Sequence, residues 1–183
     1  MSSTDNDKQR EYVWYASYGS NMLRERFLCY IKGGRFPGGG RDNPPCKDTS
    51  EPIAVSAYEI PYDMYFGNRS GVWEGKGVSF IDITKPGHAL SVAYLITREQ
   101  FDHVAEQENA GIKPELNPDW YNTVLYLGTF EGHEVYTVTN DTVREHNAPS
   151  EAYLDTLAKG IAENYPEMSG EEIREHLEEC EKH

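Results

Sequence analysis

The chain has 183 residues, a length that fits one domain with a substantial core. Aromatic residues make up 12% of it, more than a disordered or low-complexity chain carries. Its formal charge of −14, from 31 acidic and 17 basic residues, repels phosphate backbones and anionic membrane surfaces, which argues against nucleic-acid and membrane partners.

Cysteine usage and the N-terminus favour a cytoplasmic location. Cys29, Cys46 and Cys180 are odd in number and widely spaced, and no C-x-x-C pair or nearby histidine accompanies them. This pattern predicts neither a disulfide framework nor a metal site. Met1–Arg10 is polar, without the apolar core of a signal peptide, and no stretch approaches the roughly 20 apolar residues of a membrane span.

The chain is expected to begin with a head, a strand and a helix. We expect residues 1–11 to be disordered and the aromatic, β-branched run Tyr12–Tyr18 to form a strand. Helix-forming residues follow over Met22–Tyr30, and Ser20 or Asn21 can cap that helix.

A long irregular segment follows the first helix. Five glycines and four prolines between Ile31 and Pro52 exclude a regular element. Loops of this length inside a compact domain are lids, binding loops or disordered segments, and the sequence leaves these three open.

The middle of the chain is rich in strand signals. Four strand-like runs are separated by turn residues: Ile53–Glu59, Tyr62–Phe66, Gly77–Thr84 and Ala89–Ile96. A hairpin signal at Glu131–Gly132 adds two strands, Tyr121–Phe130 and His133–Thr139. We expect a curled, mixed or antiparallel sheet that forms a small barrel.

Two helices are predicted at the end of the chain. Ser150 caps the first, and Ser169 with Glu172 forms a capping box for the second, an acidic helix within 169–183. Because there is no internal repeat and no shift in composition, residues 12–183 are predicted to form one α+β domain, a sheet flanked by a few helices.

One further helix carries a carboxylate on its apolar side. Thr97 and Gln100 form a capping box that fixes its start, so each later side chain is displaced by about 100° per residue. Glu108 falls about 20° from Phe101, which defines the apolar face, whereas Glu106 falls about 140° away. A partly buried carboxylate is a candidate general acid or base. The alternative is that the helix ends before Glu108 and leaves it at an exposed turn.

The turn after the first strand suits an anion. Tyr18-Gly19-Ser20-Asn21 lies between a strand and a helix, where unpaired N–H groups and the helix dipole favour negative charge. Gly19 lets the backbone approach a ligand, and Ser20 and Asn21 supply a hydroxyl and an amide. An ordinary strand-to-helix turn explains the same residues, and the chain has no phosphate-binding P-loop sequence.

Together, this turn and this helix end resemble the γ-glutamylcyclotransferase family. Its members carry an aromatic strand that ends in Y-G-S-N, similar to Tyr15–Met22, and a later D-E-Q-E-G-like helix end, similar to Ala105–Asn109. Further matches follow in the family's order. Tyr65–Asn68 is similar to its F-G-N strand end, Trp120-Tyr121 to a tyrosine after the glutamate, and Pro149–Tyr153 to a proline-led tyrosine near the start of a late helix.

The resemblance implies a site and a reaction. Glu108 matches the family's essential acid/base, and the implied substrate-binding residues are Tyr15, Ala16, Ser17, Tyr18, Gly19, Ser20 and Tyr153. In the implied reaction the α-amine of a γ-glutamyl group attacks its own γ-carbonyl, which forms 5-oxoproline and releases an amine or amino acid. No cofactor or metal is expected. The identity of the γ-glutamyl substrate stays open, as does the formation of a homodimer.

Two departures and two rival functions accompany the resemblance. Asn109 replaces the family's usual glycine, which still permits a left-handed helix end, and the segment 31–52 is longer than expected, which leaves substrate size open. One rival is a non-catalytic binding or interaction protein on the same fold, against which the presence of Glu108 argues. The other is a cysteine or serine hydrolase, for which no G-x-S-x-G motif is present.

Overall fold

A computed structural model describes residues 11–36 and 42–182. Within these ranges the chain forms five strands and four α-helices. In chain order they are β1 (Tyr12–Ser17), α1 (Arg24–Lys32), β2 (Ala54–Ser70), β3 (Lys76–Thr97), α2 (Arg98–Glu108), β4 (Thr123–Phe130), β5 (His133–Thr139), α3 (Glu151–Asn164) and α4 (Gly170–Glu181). The head expected over 1–11 lies outside the described residues except for its last position.

The strands form one mixed sheet in the order β2-β3-β1-β5-β4. Neighbouring strands are antiparallel except β1 and β5, which are parallel at the pairs Trp14–Val135 and Tyr15–Tyr136. The α+β class and the mixed sheet are therefore confirmed. Because β1 is the central strand, it has two strands on either side of it.

The predicted barrel is wrong, because the sheet stays open. In the described part of the chain, no ladder joins the edge strands β2 and β4. The far end of β2 instead bonds to the extended segment after β5, through Asn68 N to Glu145 O at 2.9 Å and Asn147 N to Phe66 O at 3.1 Å. Backbone groups of β2 that would pair with β4 in a closed barrel are therefore satisfied by a loop.

The four strand-like runs before α2 form only two strands, β2 and β3. The turn predicted around Lys85–Gly87 is part of β3, where Pro86 lies opposite Tyr62 and the register shifts on both sides of that pair. Proline lacks an N–H and is tolerated in a sheet at such an irregularity. The residues Lys85–Gly87 thus mark a bulge within a long hairpin and not the end of a strand.

Three helix starts agree with the sequence and one does not. Thr97 and Ser169 form the predicted capping boxes, and Ser150 caps α3 through Tyr153 N. Helix α1, however, begins at Arg24 after a short 3-10 turn, Ser20–Met22, and its N-cap residue Leu23 offers no side-chain acceptor. The expected caps are engaged elsewhere, since Ser20 bonds to Arg26 and Asn21 to Glu108.

The irregular segment after α1 is tied back to the fold on both sides of residues 37–41. Gly34 and Asn43 form an isolated bridge with two backbone hydrogen bonds, at 2.9 and 2.8 Å. Gln100 Nε2 donates to the carbonyl oxygens of Asp48 and Ser50, both at 2.9 Å. This contact docks the later part of the segment on the start of α2.

No helix in the described ranges is long and apolar enough to span a membrane.

The core is continuous and aromatic where α1 meets the sheet. Phe27 of α1 stacks on Tyr94 of β3 with ring centroids 4.0 Å apart. The Tyr94 hydroxyl donates to Asn21 O at 2.7 Å, which links β3 to the turn between β1 and α1.

Helix α3 fixes the same turn from the other side. At Gly160 the backbone of α3 approaches the turn so closely that an added Cβ would lie 2.6 Å from Leu23 N and from the carbonyl carbon and Cβ of Met22. Only glycine fits there without a shift of backbone atoms.

We predict that Gly160→Ala lowers the free energy of unfolding by about 1–3 kcal/mol, because the new methyl group meets backbone that cannot move independently. Urea denaturation measures this loss. Gly170→Ala is the control, because nothing lies within 4 Å of its added Cβ, and it should be neutral or stabilising. Equal effects of the two substitutions would contradict the packing described for α3.

Candidate active site

A cavity of about 420 Å³ opens beside the C-terminal end of β1. Its walls come from β1 and the turn after it, α1, the connection between β2 and β3, the end of α2 and the start of α3. The residues of the predicted site that line it are Tyr15, Ser17, Tyr18, Gly19, Ser20, Glu108 and Tyr153. Ala16 is fully buried outside the cavity lining, and its carbonyl accepts a hydrogen bond from Thr137 Oγ1 at 2.6 Å.

Glu108 is the last residue of α2, so the helix does not end before it. Its Oε1 accepts two hydrogen bonds, from the Tyr15 hydroxyl at 3.0 Å and from Asn21 Nδ2 at 2.9 Å. Both donors are almost fully buried. Both bonds converge on one carboxylate oxygen at the cavity wall, and hydrogen bonds of this kind favour the ionised form of a carboxylate.

The neighbouring glutamate does not line the cavity. Glu106 is half-buried on another side of α2, in a shallow surface depression that it shares with Cys46 and His103. The helical register therefore separates the two glutamates as expected, although Glu106 is less exposed than the register alone predicts.

Tyrosine hydroxyls bond to the cavity's own walls. Tyr18 donates to Val138 O at 2.6 Å, and Tyr121 donates to Ser79 O at 2.8 Å. The Tyr153 hydroxyl donates to Ser79 Oγ and accepts from Ser79 N, both at 3.0 Å. These bonds fix the rings in position.

The site tyrosines remain neutral phenols at physiological pH. Burial raises the pKa of Tyr153 to about 12. Burial, reinforced by the negative charge of Glu108, also raises the pKa of Tyr15, Tyr18 and Tyr121 well above the usual tyrosine value. They can donate hydrogen bonds and shape the cavity, but they are poorly suited to act as bases.

Some N–H groups of the turn after β1 form hydrogen bonds within the turn itself and are not free to bind an anion. Met22 N donates to Gly19 O at 3.0 Å and Leu23 N to Ser20 O at 3.3 Å, so these N–H groups are engaged within the turn. The first turn of α1 begins four residues after Ser20, which weakens the expected helix-dipole contribution. Gly19 instead makes room for Tyr153, whose hydroxyl would lie 3.1 Å from an added Cβ.

Sequence reasoning missed Arg26, which also lines the cavity. Its Nε donates to Ser20 Oγ at 3.0 Å, and its guanidinium carbon lies 4.9 Å from the centre of the Trp73 ring. A signal was available, because Arg26 falls about 40° from Tyr30 on the helical wheel, on the apolar side of α1. The same geometry had identified Glu108 on α2.

Asn109 does not adopt the left-handed conformation expected at the helix end. Its φ is −110°, and the positive φ angles belong to Ala110 at 55° and Gly111 at 86°. The buried Asn109 side chain instead fixes the segment that follows. Its Nδ2 donates to Ala105 O and Tyr121 O, and its Oδ1 accepts from Tyr121 N and Asn117 Nδ2.

Of the other segments that resemble the family, one lines the cavity and another lies outside it. Trp120 and Tyr121 line it, and the Tyr121 ring stacks on Phe80 with centroids 4.7 Å apart. Asn68 lies outside and adopts a left-handed φ of 60°, with its Nδ2 donating to Asp119 O.

Within residues 11–36 and 42–182, no group of three or more His, Cys, Asp or Glu side chains is arranged to hold a metal ion.

Comparison with proteins of known sequence gives one partial match. No family model matches the chain. Histone deacetylase 5 of Arabidopsis thaliana is 30% identical over 205 residues, which include 92% of this chain and 30% of that protein. The chain thus spans less than a third of the length of this relative.

Comparison with solved structures identifies the fold. A protein of Homo sapiens described as uncharacterized is 23% identical with a TM-score of 0.61, and a γ-glutamyl cyclotransferase is 20% identical with the same TM-score; each match covers 90% of this chain and 87% of the other. YkqA from Bacillus subtilis is 14% identical with a TM-score of 0.60, over 96% of this chain and 58% of that one.

The chain is an α+β protein whose open mixed sheet carries a cavity beside the end of its central strand. The chain has the γ-glutamylcyclotransferase-like fold. The resemblance noted at Y-G-S-N and E-Q-E is confirmed at the level of the fold.

We predict that Asn109→Ala lowers the free energy of unfolding by about 2–4 kcal/mol, because it removes several buried hydrogen bonds and leaves backbone groups unpaired. Chemical denaturation measures the loss. Asn122→Ala is the control. The Asn122 side chain bonds to Asp141 at an exposed site and accepts from the hydroxyl of its neighbour Thr123, so the effect of this substitution should be below about 1 kcal/mol. A loss at Asn109 no larger than that at Asn122 would contradict the anchoring role.

Proposed function

We propose that this protein is a γ-glutamylcyclotransferase-type enzyme in which Glu108 is the general acid/base. The observation that carries the proposal is the Glu108 carboxylate at the cavity wall, with Tyr15 and Asn21 both donating to Oε1. An ionised carboxylate in a concave site lined by neutral polar groups is suited to proton transfer. The γ-glutamyl cyclotransferase of the same fold supports the choice of reaction.

The proposed reaction begins at the α-amine of a γ-glutamyl group. The amine attacks in its neutral form, and Glu108 accepts one proton from this nitrogen as the nitrogen bonds to the γ-carbonyl carbon. When the tetrahedral intermediate collapses, the bond between that carbon and the departing nitrogen breaks, and Glu108 gives the proton to the departing nitrogen. The products are 5-oxoproline and a free amine or amino acid, and Glu108 is again ionised.

The cavity contributes orientation. Ring closure requires the glutamyl chain to bend until its amine and γ-carbonyl meet, and a fixed bent conformation removes most of the entropic barrier. The ring positions of Tyr18, Tyr121 and Tyr153 are held by bonds to backbone or to Ser79. Rigid walls of this kind favour one bound conformation of the substrate.

A hydrolase mechanism finds less support in the same cavity. Among the described residues that line it, there is no cysteine and no histidine, although Ser17, Ser20, Ser70 and Ser79 are present. A serine nucleophile needs an adjacent base, and the described lining offers no histidine for that role. The other rival, a non-catalytic binding protein on this fold, would differ from the proposed enzyme because it would bind a γ-glutamyl ligand without releasing 5-oxoproline.

We predict that Glu108→Gln lowers the turnover of γ-glutamyl compounds by about 10²–10⁴-fold or more, because an amide cannot accept the proton of the amine. The fold should be retained, since the amide oxygen still accepts bonds from Tyr15 and Asn21. Release of 5-oxoproline from a panel of γ-glutamyl amino acids, γ-glutamylamines and glutathione measures the effect. The matched control is Glu106→Gln on the same helix, which should be nearly silent. Activity of the Glu108 variant like that of wild type would exclude this role.

A second prediction concerns pH. Tyr15→Phe removes one of the donors that favour the ionised form of Glu108, so the acidic limb of the kcat/KM profile should move to higher pH. The matched control is Tyr18→Phe, which removes a hydroxyl that bonds to Val138 O and not to Glu108. If both variants shift the limb equally, or neither does, the hydrogen bond from Tyr15 does not tune the base.

A further inference from the structure

The cavity contains opposite charges in a strongly acidic protein. Among the described residues that line it, Arg26 is the one cationic side chain and Glu108 the one acidic side chain. A net charge of −14 repels anionic ligands in general, so a local cation is needed wherever such a ligand binds. Arg26 meets that requirement inside the candidate site.

Arg26 is buried without an acidic partner. It is 9% exposed, and no ion pair joins it to a carboxylate within residues 11–36 and 42–182. Other arginines, such as Arg24 on α1 and Arg174 on α4, form ion pairs with acidic side chains at the surface. A buried charge without a counter-charge is costly, which indicates that an anion completes this part of the cavity.

The orientation of the guanidinium suits a carboxylate. Its Nε is engaged by Ser20 Oγ, and its carbon lies 4.9 Å from the Trp73 ring centre and 5.7 Å from that of Phe36. The hydrogen bond and the rings hold the planar group in one orientation. Its two terminal nitrogens can then donate side by side to the two oxygens of a carboxylate.

Arg26 and Glu108 line one cavity and are held there by different groups. Glu108 is held by Tyr15 and Asn21, which are 2% and 1% exposed, whereas Arg26 lies between the half-buried rings of Trp73 and Phe36. Tyr153 lines the same cavity, and its ring packs edge-on against Trp73, the ring over which Arg26 lies. A substrate whose γ-carbonyl reaches Glu108 therefore has Arg26 within the same cavity as a partner for a carboxylate.

We propose that Arg26 binds the carboxylate of the departing group, so that the protein selects γ-glutamyl amino acids or peptides over γ-glutamylamines. This inference rests on the proposed function, because it assigns one end of the same substrate. Arg26 is a specificity-determining residue in this scheme and takes no part in proton transfer.

The test compares γ-glutamyl-alanine with γ-glutamyl-alaninamide, which differ only in the carboxylate of the departing group. For wild type, kcat/KM should favour the acid. Arg26→Gln should lower kcat/KM for the acid by about 10- to 100-fold and change that for the amide little, which removes the preference. Arg24→Gln makes the same change two residues earlier on α1, at a surface ion pair with Glu51, and should leave the preference intact.

Several outcomes would overturn the assignment. If Arg26→Gln lowers kcat/KM equally for the acid and the amide, Arg26 acts on the common glutamyl part or on the fold. If neither value of kcat/KM changes, Arg26 binds neither compound. Should Arg26→Gln fail to fold, Arg26→Lys keeps the charge, and a reduced preference for the acid is expected because the planar fork is lost. An unchanged preference in Arg26→Lys would contradict the paired geometry.

Calorimetry separates this inference from the proposed function. If wild type releases 5-oxoproline from neither compound, the proposed reaction is wrong, but binding of the two compounds still measures the preference for the acid. Tighter binding of the acid that disappears in Arg26→Gln supports the carboxylate site in that case. Equal binding of acid and amide to wild type overturns it.

Discussion

A partly buried carboxylate has to be held by hydrogen-bond donors, and Tyr15 and Asn21 supply two of them to one oxygen of Glu108. Three separate elements must meet for this to happen: β1, the turn after it and the last residue of α2. The turn is fixed by Tyr94 of β3, which bonds to Asn21 O, and by the close approach of α3 at Gly160. Much of the packing around the central strand thus serves to place donors beside a carboxylate.

The interior around that carboxylate is aromatic and polar without being charged. The tyrosine pKa values are raised by burial, so the phenols stay neutral and do not compete with Glu108 for protons. Elsewhere in the lining, Arg26 is held by a hydroxyl and an aromatic ring. The described lining thus combines one cation and one carboxylate with neutral side chains.

The sequence predicts local features of this arrangement better than long-range ones. The capping box at Thr97 sets the register of a single helix, so the inward direction of Glu108 follows from geometry within 12 residues. Arg26 obeys the same rule on α1 and could have been found in the same way. The open sheet could not, because closure depends on whether β2 bonds to β4 or to the distant segment at Glu145. The tethering role of Asn109 depends likewise on Tyr121, a partner that the sequence pattern does not reveal.

In the proposed reaction the amine of the substrate, and not water, attacks the γ-carbonyl. Product analysis distinguishes the two nucleophiles after wild-type protein is incubated with a γ-glutamyl amino acid in water enriched in heavy oxygen. If the amine attacks, 5-oxoproline and the released amino acid should form in equal amounts, with no heavy oxygen in either product. Release of glutamate that carries heavy oxygen in its γ-carboxylate would show hydrolysis instead, and recovery of the substrate unchanged would show that no cyclisation occurs.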